Sequence, residues 1–155
     1  MTKEEKEVLI KDLCGRLPYG VKFAFNQNVY TAKGLDLIVT DEGDWEYAVT
    51  AKGIEPIEIG FIKPYLRPMS SMTDEEYNEF KDLTTCGSCC NDYDRWGHWG
   101  VEVVSYKYDE WDKPFYDFSE FQNLQNWLNK KHLDYMGLIP MGLALEATED
   151  MYKTK

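Results

Sequence analysis

The sequence predicts an α+β fold, in which an N-terminal helix and a small antiparallel meander or half-barrel precede a helix-strand-helix half. Capping signals open three amphipathic segments, and apolar and polar residues alternate with a period of two between residues 19 and 62. The 155 residues, 43% of them apolar, suffice for a single compact unit spanning residues 1–155. The alternative is a division into 1–68, the helix plus meander, and 69–155, the helix-strand-helix part with a cysteine- and aromatic-rich loop.

Each predicted helix begins with a capping box, in which a hydroxyl accepts one free backbone N–H and a side chain three residues on accepts another. The pairs are Thr2 with Glu5, Thr73 with Glu76, and Ser119 with Gln122. They predict helices from about Lys3 to Cys14, from Thr73 to about Leu83, and from Glu120 to His132. Cys14 follows the apolar face of the first helix, so we expect it to be a small core residue.

Three alternating segments, residues 21–26, 35–40 and 45–50, predict strands with one buried face. The sequence from Asp41 to Asp44 is typical of a hairpin turn, because Gly43 readily adopts a positive φ. Residues 26–28 and 33–34 are further turn candidates, and Ile57 and Ile59 indicate a short fourth strand. We expect the first helix to cover this meander.

The rest of the chain alternates extended and helical segments. Pro64 and Pro68 predict an extended connector over residues 61–72, and residues 101–108 predict a strand before a turn at 109–114. We expect the apolar tail, residues 137–147, to pack back onto the core, with residues 148–155 frayed.

The acidic charge is concentrated in one third of the chain. The net charge is −11, and residues 74–120 contain four basic and thirteen acidic residues. Such a segment repels phosphates, so we expect no direct nucleic-acid binding and no attachment to an anionic membrane. It is compatible with a basic protein partner, with cation binding, or with solubility alone. No apolar run predicts a membrane span, and the first ten residues lack the apolar region of a secretion signal, so we expect a cytoplasmic protein.

Four neighbouring residues form a candidate metal site. Cys86 and Cys89 have the spacing of a zinc knuckle, and Cys90 and His98 complete a tetrahedral ligand set. His132 and Cys14 are more distant options. The alternative is a loop of reduced thiols, because a second cysteine pair is missing. Zinc is therefore the one cofactor that we consider. The nearby acids Asp92 and Asp94 disfavour thiol catalysis.

Residues 93–116 contain eight aromatic residues interleaved with acids. Aromatic side chains with polar tips are frequent in protein interfaces, so we expect part of this segment to bind a partner. The candidate contact residues are Tyr93, Trp96, Trp99, Tyr108, Trp111 and Tyr116. The alternative is that Trp96, Trp99 and Tyr106 complete a core around the third helix. Such a surface also suits carbohydrate or a cationic ligand.

Motifs of hydrolases, zinc proteases and nucleotide-binding enzymes are missing from the sequence, so we assign no catalytic residue and favour a non-enzymatic protein. A hydrolase with an unrecognised carboxylate site is an alternative, but the sequence singles out no carboxylate pair, and Asp109, Glu110 and Asp112 are more typical of a solvated turn.

Three stretches resemble those of small uncharacterised proteins encoded by prophages and other mobile elements of gut Bacteroidetes. They are KPYLRPMSSMT at residues 63–73, WLNKKHLDYMGLIPMGLALEA at residues 127–147, and LPYG at residues 17–20. The resemblance implies a bacterial or phage origin and a cytoplasmic setting, with no known activity, cofactor or catalytic residue. It does not extend to the cysteine cluster or to WGHWG at residues 96–100.

The leading hypothesis is a non-enzymatic accessory protein of a phage or mobile element that binds a partner protein through the acidic aromatic segment 92–116. The alternatives are a structural zinc-binding module, a hydrolase with a carboxylate site, and a nucleic-acid mimic that occupies a basic groove.

Overall fold

The computed structural model describes residues 1–84, 106–108, 114–116 and 118–152. It has an α+β architecture with an N-terminal helix followed by a meander, which confirms the predicted fold class. The chain divides into two compact units, one formed by Met1–Arg67 with Met136–Lys155 and the other by Pro68–Tyr135. The first boundary lies one residue before the division at 68/69 considered from the sequence, and the C-terminal residues belong to the first unit.

The described helices and strands, in chain order, are α1 (Lys3–Arg16), β1 (Lys22–Phe25), β2 (Asn28–Val39), β3 (Trp45–Ala51), β4 (Ile54–Glu58), β5 (Lys63–Leu66), α2 (Asp74–Thr84), β6 (Tyr106–Tyr108), β7 (Pro114–Tyr116), α3 (Phe118–Lys130) and β8 (Leu145–Glu146). Six of these strands form one sheet in the order β4-β3-β2-β1-β5-β8. Its pairs are antiparallel except for β5 and β8, which run parallel. None of the described helices has both the length and the apolar character needed to cross a membrane.

Helix α1 begins with the predicted capping box. The Thr2 hydroxyl accepts the Glu5 N–H at 3.2 Å, and the Glu5 carboxylate accepts the Thr2 N–H at 2.7 Å. Leu9 and Leu13 are fully buried. The prediction that Cys14 is a core residue is wrong, because Cys14 is exposed.

The buried stripe of α1 instead continues through charged residues. Asp12 lies three residues after Leu9 and Arg16 three after Leu13, on the same face of the helix, whereas Cys14 lies to one side. The Arg16 guanidinium donates two hydrogen bonds to the Asp12 carboxylate, both at 2.7 Å. A buried ion pair therefore occupies helix positions that apolar residues would otherwise fill.

The meander is more continuous than its turn signals indicate. Asn26 and Gln27 have positive φ angles of 46° and 64°, and Gly43 has a φ of 87°, so two of the predicted turns are confirmed. The turn predicted at Lys33-Gly34 is wrong, because the register shifts there within β2 and the ladder to β3 continues. A β-bulge bends a strand without ending it, which is why this local signal was misleading.

The C-terminal segment returns to the core of the first unit, as predicted. Leu138, Leu143 and Ala144 are buried in that core. The fraying predicted for residues 148–155 is wrong for Met151 and Tyr152. The Tyr152 hydroxyl accepts the Lys22 backbone N–H at 3.0 Å and donates to the Tyr65 carbonyl at 2.7 Å.

The second unit pairs α2 with α3 around a small core. This core contains Met69, Met72, Phe80, Leu124, Leu128 and Leu133. Helix α2 carries the predicted capping box between Thr73 and Glu76. Ser119 lies inside α3 and does not cap it, and α3 ends before the predicted His132, which has a left-handed φ of 55°.

Within the second unit, β6 and β7 form an antiparallel hairpin. Strand β6 occupies the end of the strand predicted over residues 101–108, of which residues 101–105 lie outside the described part of the chain. Strand β7 was not predicted, because residues 109–114 were interpreted as a turn; proline is tolerated at the first residue of a strand, where Pro114 lies.

Candidate functional site

The predicted zinc ligands Cys86, Cys89, Cys90 and His98 lie outside the described residues, so the zinc site stays a prediction. Of the two distant options, Cys14 is exposed on α1 and His132 is buried in the second unit. Within the described ranges, no group of three or more His, Cys, Asp and Glu side chains is placed to hold a metal ion.

The predicted partner-binding residues fall mostly outside the described part of the chain. Tyr93, Trp96, Trp99 and Trp111 are not described, whereas Tyr108 and Tyr116 belong to the β6–β7 hairpin. In this hairpin Tyr108 pairs with Pro114, and Tyr106 with Tyr116. The carboxylates at residues 109, 110 and 112, considered for a hydrolase, are also not described.

The described residues contain a different aromatic surface, on the β2–β3 hairpin. Two consecutive cross-strand pairs, Leu37 with Tyr47 and Val39 with Trp45, lie on one face of this hairpin. Their exposed fractions are 50% for Leu37, 45% for Tyr47, 54% for Val39 and 69% for Trp45. We call these four residues the hairpin patch.

The hairpin patch continues a face that is buried closer to the core. The preceding pair on the same face is Leu35 with Val49. Val49 is fully buried and Leu35 packs against the core of the first unit. Burial therefore ends abruptly along one apolar face, between one cross-strand pair and the next.

The neighbouring strands explain where burial ends. Strand β1 pairs with residues 28–31 of β2, and β4 pairs with residues 48, 49 and 51 of β3. Among the described strands, residues 37–39 and 45–47 pair only with each other. The distal half of the hairpin thus extends beyond the strands that flank its proximal half.

The free edge of this distal half is partly closed by a side chain. The Asp36 carboxylate accepts the backbone N–H of Leu37 at 2.8 Å. A satisfied donor with a charged group beside it disfavours the addition of another strand, as is common at the edges of natural sheets. The face of the hairpin is therefore better suited to a partner than its edge.

The turn next to the hairpin patch is strongly acidic. Asp41, Glu42 and Asp44 are exposed, and we call these three residues the acidic turn. The Thr40 N–H donates to the Asp44 carbonyl at 2.8 Å and the Gly43 N–H to the Thr40 carbonyl at 2.9 Å, so the turn is closed by its own backbone. In the described parts of the chain, no Lys or Arg forms a salt bridge with these three carboxylates.

One carboxylate on the opposite face of β3 is neutralised within the first unit. Lys6 of α1 lies 2.7 Å from Glu46 and 3.2 Å from Glu58. The hydrogen bond to Glu46 is the main cause that raises the pKa of Lys6 above its usual value. This face of β3 is therefore contacted by α1, whereas the face that carries the hairpin patch is open to solvent.

The second unit contains an aromatic and charged cluster that is satisfied internally. The Trp127 Nε1–H donates to the Glu79 carboxylate at 2.9 Å, and this bond lowers the pKa of Glu79. Lys131 lies 5.5 Å from the Trp127 ring centroid and 3.5 Å from Glu76. These contacts join α2 to α3, so the cluster has a structural role.

Polar residues are also buried near the end of α3, namely Asn129, His132 and Asp134. The Tyr135 hydroxyl donates to the Asn129 side-chain oxygen at 3.1 Å. All three buried residues follow or end a helix, where polar side chains commonly satisfy backbone groups. This arrangement is typical of a helix terminus.

Sequence reasoning missed the hairpin patch. The alternation in residues 35–40 and 45–50 correctly predicts strands, but it implies that the apolar face of each is buried along its whole length. A usable signal was present, because the two apolar strand ends flank a turn with three carboxylates in four residues.

Comparison of the chain with protein-family models, with curated proteins and with solved structures finds no match.

Proposed function

We propose that this protein is a non-enzymatic accessory protein of a phage or mobile element, and that it binds a partner protein in the cytoplasm. The observation that carries the proposal is the hairpin patch, four contiguous apolar side chains that are all close to half exposed or more. The acidic aromatic segment 92–116 is retained as a second contact surface, proposed from the sequence alone.

The composition of the hairpin patch supports a role in binding. A tryptophan and a tyrosine lie on a rigid two-stranded scaffold, and these residue types dominate the energetics of protein interfaces. A fully buried aromatic side chain covers roughly 150–250 Å². At their exposed fractions, Trp45 and Tyr47 together present on the order of 200 Å² to solvent. Apolar patches of this kind are the usual mark of an interaction site.

Two other groups of polar side chains in the described structure contribute to folding. The aromatic and charged cluster at Trp127 is engaged between α2 and α3, and the buried ion pair of α1 is engaged within the helix. The zinc-module alternative depends on residues 86–98, which are not described, and the hydrolase alternative has no assigned carboxylate pair. They remain predictions from the sequence.

Site-specific photo-crosslinking tests the proposal. A benzophenone amino acid in place of Tyr47 should give a discrete protein adduct in bacteria that carry the gene, whereas the same group at the exposed Lys52 should not. Lys52 lies at the opposite end of β3, beyond the buried pair, and serves as the matched control.

The adduct should then be verified with purified components. Trp45→Ser should weaken binding of the identified partner by about 30-fold, as expected for a residue worth about 2 kcal/mol at an interface. The proposal is wrong if positions 47 and 52 give the same adducts, or if Trp45→Ser binds as well as the native protein.

A further inference from the structure

We propose that the hairpin patch binds a cationic polypeptide segment, in which apolar side chains that cover the patch are flanked by lysine or arginine. This inference rests on the proposed function, because it names the class of partner that the same surface takes.

The charge around the hairpin patch is of one sign. Residues 34–51, which include the whole distal hairpin, contain five acidic residues and no lysine or arginine. Glu46 is bound by Lys6, and Asp36 accepts the Leu37 N–H along the strand edge. The acidic turn lies directly between the two strand ends that carry Val39 and Trp45. A partner that covers these apolar side chains therefore places its own rim beside three exposed carboxylates.

The acidic turn and the hairpin patch make different contributions to partner binding. Exposed ion pairs contribute about 0–1 kcal/mol each, so the acidic turn alone does not hold a partner. Burial of the apolar patch supplies most of the affinity, whereas the carboxylates raise the association rate and discriminate among partners. We therefore expect the apolar patch to supply the affinity and the acidic turn to favour partners that carry positive charge.

The same charges disfavour other occupants. A symmetric dimer formed through this patch would bring two acidic turns and no basic residue of the hairpin to its rim, and like charges at an interface are costly. Phosphate backbones and anionic lipid surfaces are repelled for the same reason. A partner polypeptide with positive charge is the occupant that satisfies both the apolar and the charged part of the surface.

The geometry also indicates how this partner binds. The Leu37 N–H on the distal hairpin is satisfied by Asp36, so strand addition at this edge is disfavoured. The face formed by two cross-strand pairs suits apolar side chains laid across it, as from an amphipathic helix.

Three matched peptides test the proposal on the full chain. Each has 14 residues with leucine at the same helical positions, and the polar positions are lysine, glutamine or glutamate. Calorimetry should give a dissociation constant at least tenfold lower for the lysine peptide than for the glutamine peptide, and no binding of the glutamate peptide. The advantage of the lysine peptide should shrink in 0.5 M salt. Amide resonances of residues 36–47 should shift upon binding.

A pair of variants with equal charge separates this surface from general attraction to an acidic protein. Asp41→Asn/Glu42→Gln/Asp44→Asn should reduce the affinity for the lysine peptide to that for the glutamine peptide. The control, Glu7→Gln/Glu55→Gln/Glu149→Gln, neutralises three exposed carboxylates elsewhere in the first unit and should change the affinity less than twofold. Unchanged circular dichroism verifies that both variants fold.

Several results would overturn the proposal. Equal affinity for the lysine and glutamine peptides would show that charge does not select the partner, while crosslinking at position 47 could still support the proposed function. An equal loss in both charge variants, or shifts confined to residues 74–120, would assign the attraction to net charge. Dimerisation that Trp45→Ser abolishes in sedimentation would assign the patch to a second copy of the chain.

Discussion

The two halves of the β2–β3 hairpin have the same kind of apolar face, but this face is buried in the proximal half and exposed in the distal half. In the proximal half, Val49 is fully buried opposite Leu35, whereas the next two pairs, which form the hairpin patch, are largely exposed. The difference does not come from the residue types, which are large and apolar in both halves. It comes from what lies beside them, because the flanking strands β1 and β4 end before the distal half. An apolar alternation thus predicts an apolar face, and the neighbouring strands decide whether that face is buried or exposed.

Charged residues of the first unit show the same contrast. Asp12 and Arg16 are buried on α1 and bind each other in a bidentate pair, whereas the carboxylates of the acidic turn are exposed to solvent. A buried charge needs its partner for stability, while an exposed charge is free to act on another molecule. Within this unit, one set of charges is therefore paired in the interior, and the other is open to the interaction that we propose.

The largest expected effect is a difference in the free energy of unfolding between variants in the two halves of the hairpin. Val49→Asp places a carboxylate in the core and should lower the free energy of unfolding by about 5 kcal/mol or more. Tyr47→Asp, one pair further along the same face, should lower it by about 1 kcal/mol or less. Urea denaturation measures both. Similar losses at the two positions would contradict the division between core and open face.

The second effect concerns the buried ion pair. Asp12→Ala leaves the buried Arg16 guanidinium without its carboxylate and should cost about 3 to 5 kcal/mol. Asp44→Ala in the acidic turn, the exposed counterpart, should cost about 0.5 kcal/mol or less. The double variant Asp12→Leu/Arg16→Met should be more stable than Asp12→Ala, since it removes both charges. If Asp12→Ala unfolds like the native protein, the pair does not stabilise the helix.

The smallest effect concerns the two tyrosines Tyr152 and Tyr47. Tyr152→Phe removes a hydroxyl that binds the Lys22 N–H and the Tyr65 carbonyl, and should cost about 1–2 kcal/mol near pH 8. Tyr47→Phe alters an exposed ring and should cost less than about 0.5 kcal/mol. Urea denaturation of the two variants measures both losses in the free energy of unfolding.

The pH dependence of the Tyr152 variant has a definite sign. Burial raises the pKa of Tyr152 from 10.0 to about 12. Between these values the folded chain keeps a proton that the unfolded chain releases, so the contribution of Tyr152 is present below pH 10 and is lost as the pH rises toward 12. The stability difference between the native protein and Tyr152→Phe should therefore shrink over this range. A difference that stays constant from pH 8 to pH 11.5 would contradict this.

Local signals were sufficient for much of the fold. Capping boxes at Thr2 and Thr73 predicted the starts of α1 and α2 correctly, because a cap satisfies backbone groups within four residues of chain. The alternation of apolar and polar residues correctly predicted β1, the distal part of β2, and β3, because this pattern also depends only on residues that are near each other in the chain. The signal failed at Lys33-Gly34, where pairing with β3 carries the strand through a bulge.

Less of the candidate site followed from the sequence. The residues singled out there, from Cys86 to Tyr116, lie almost entirely outside the described part of the chain. The hairpin patch was overlooked, since half-exposed and fully buried alternation look identical along a single strand. Cys14 was misplaced by a related error, in which the apolar residues of one helix were used to infer the position of its buried face.

By itself, the sequence determined the class of fold, the starts of two helices, the hairpin turn at Gly43 and the acidity of that turn, all of which depend on residues near each other in the chain. Only the tertiary structure decided which part of the hairpin is covered, that Asp12 and Arg16 are buried together, and that Tyr152 binds β1 and β5. The physical reason is that burial depends on neighbours brought from distant positions. The length of β1 and β4, and not the residues of the hairpin, leaves Trp45 exposed to solvent.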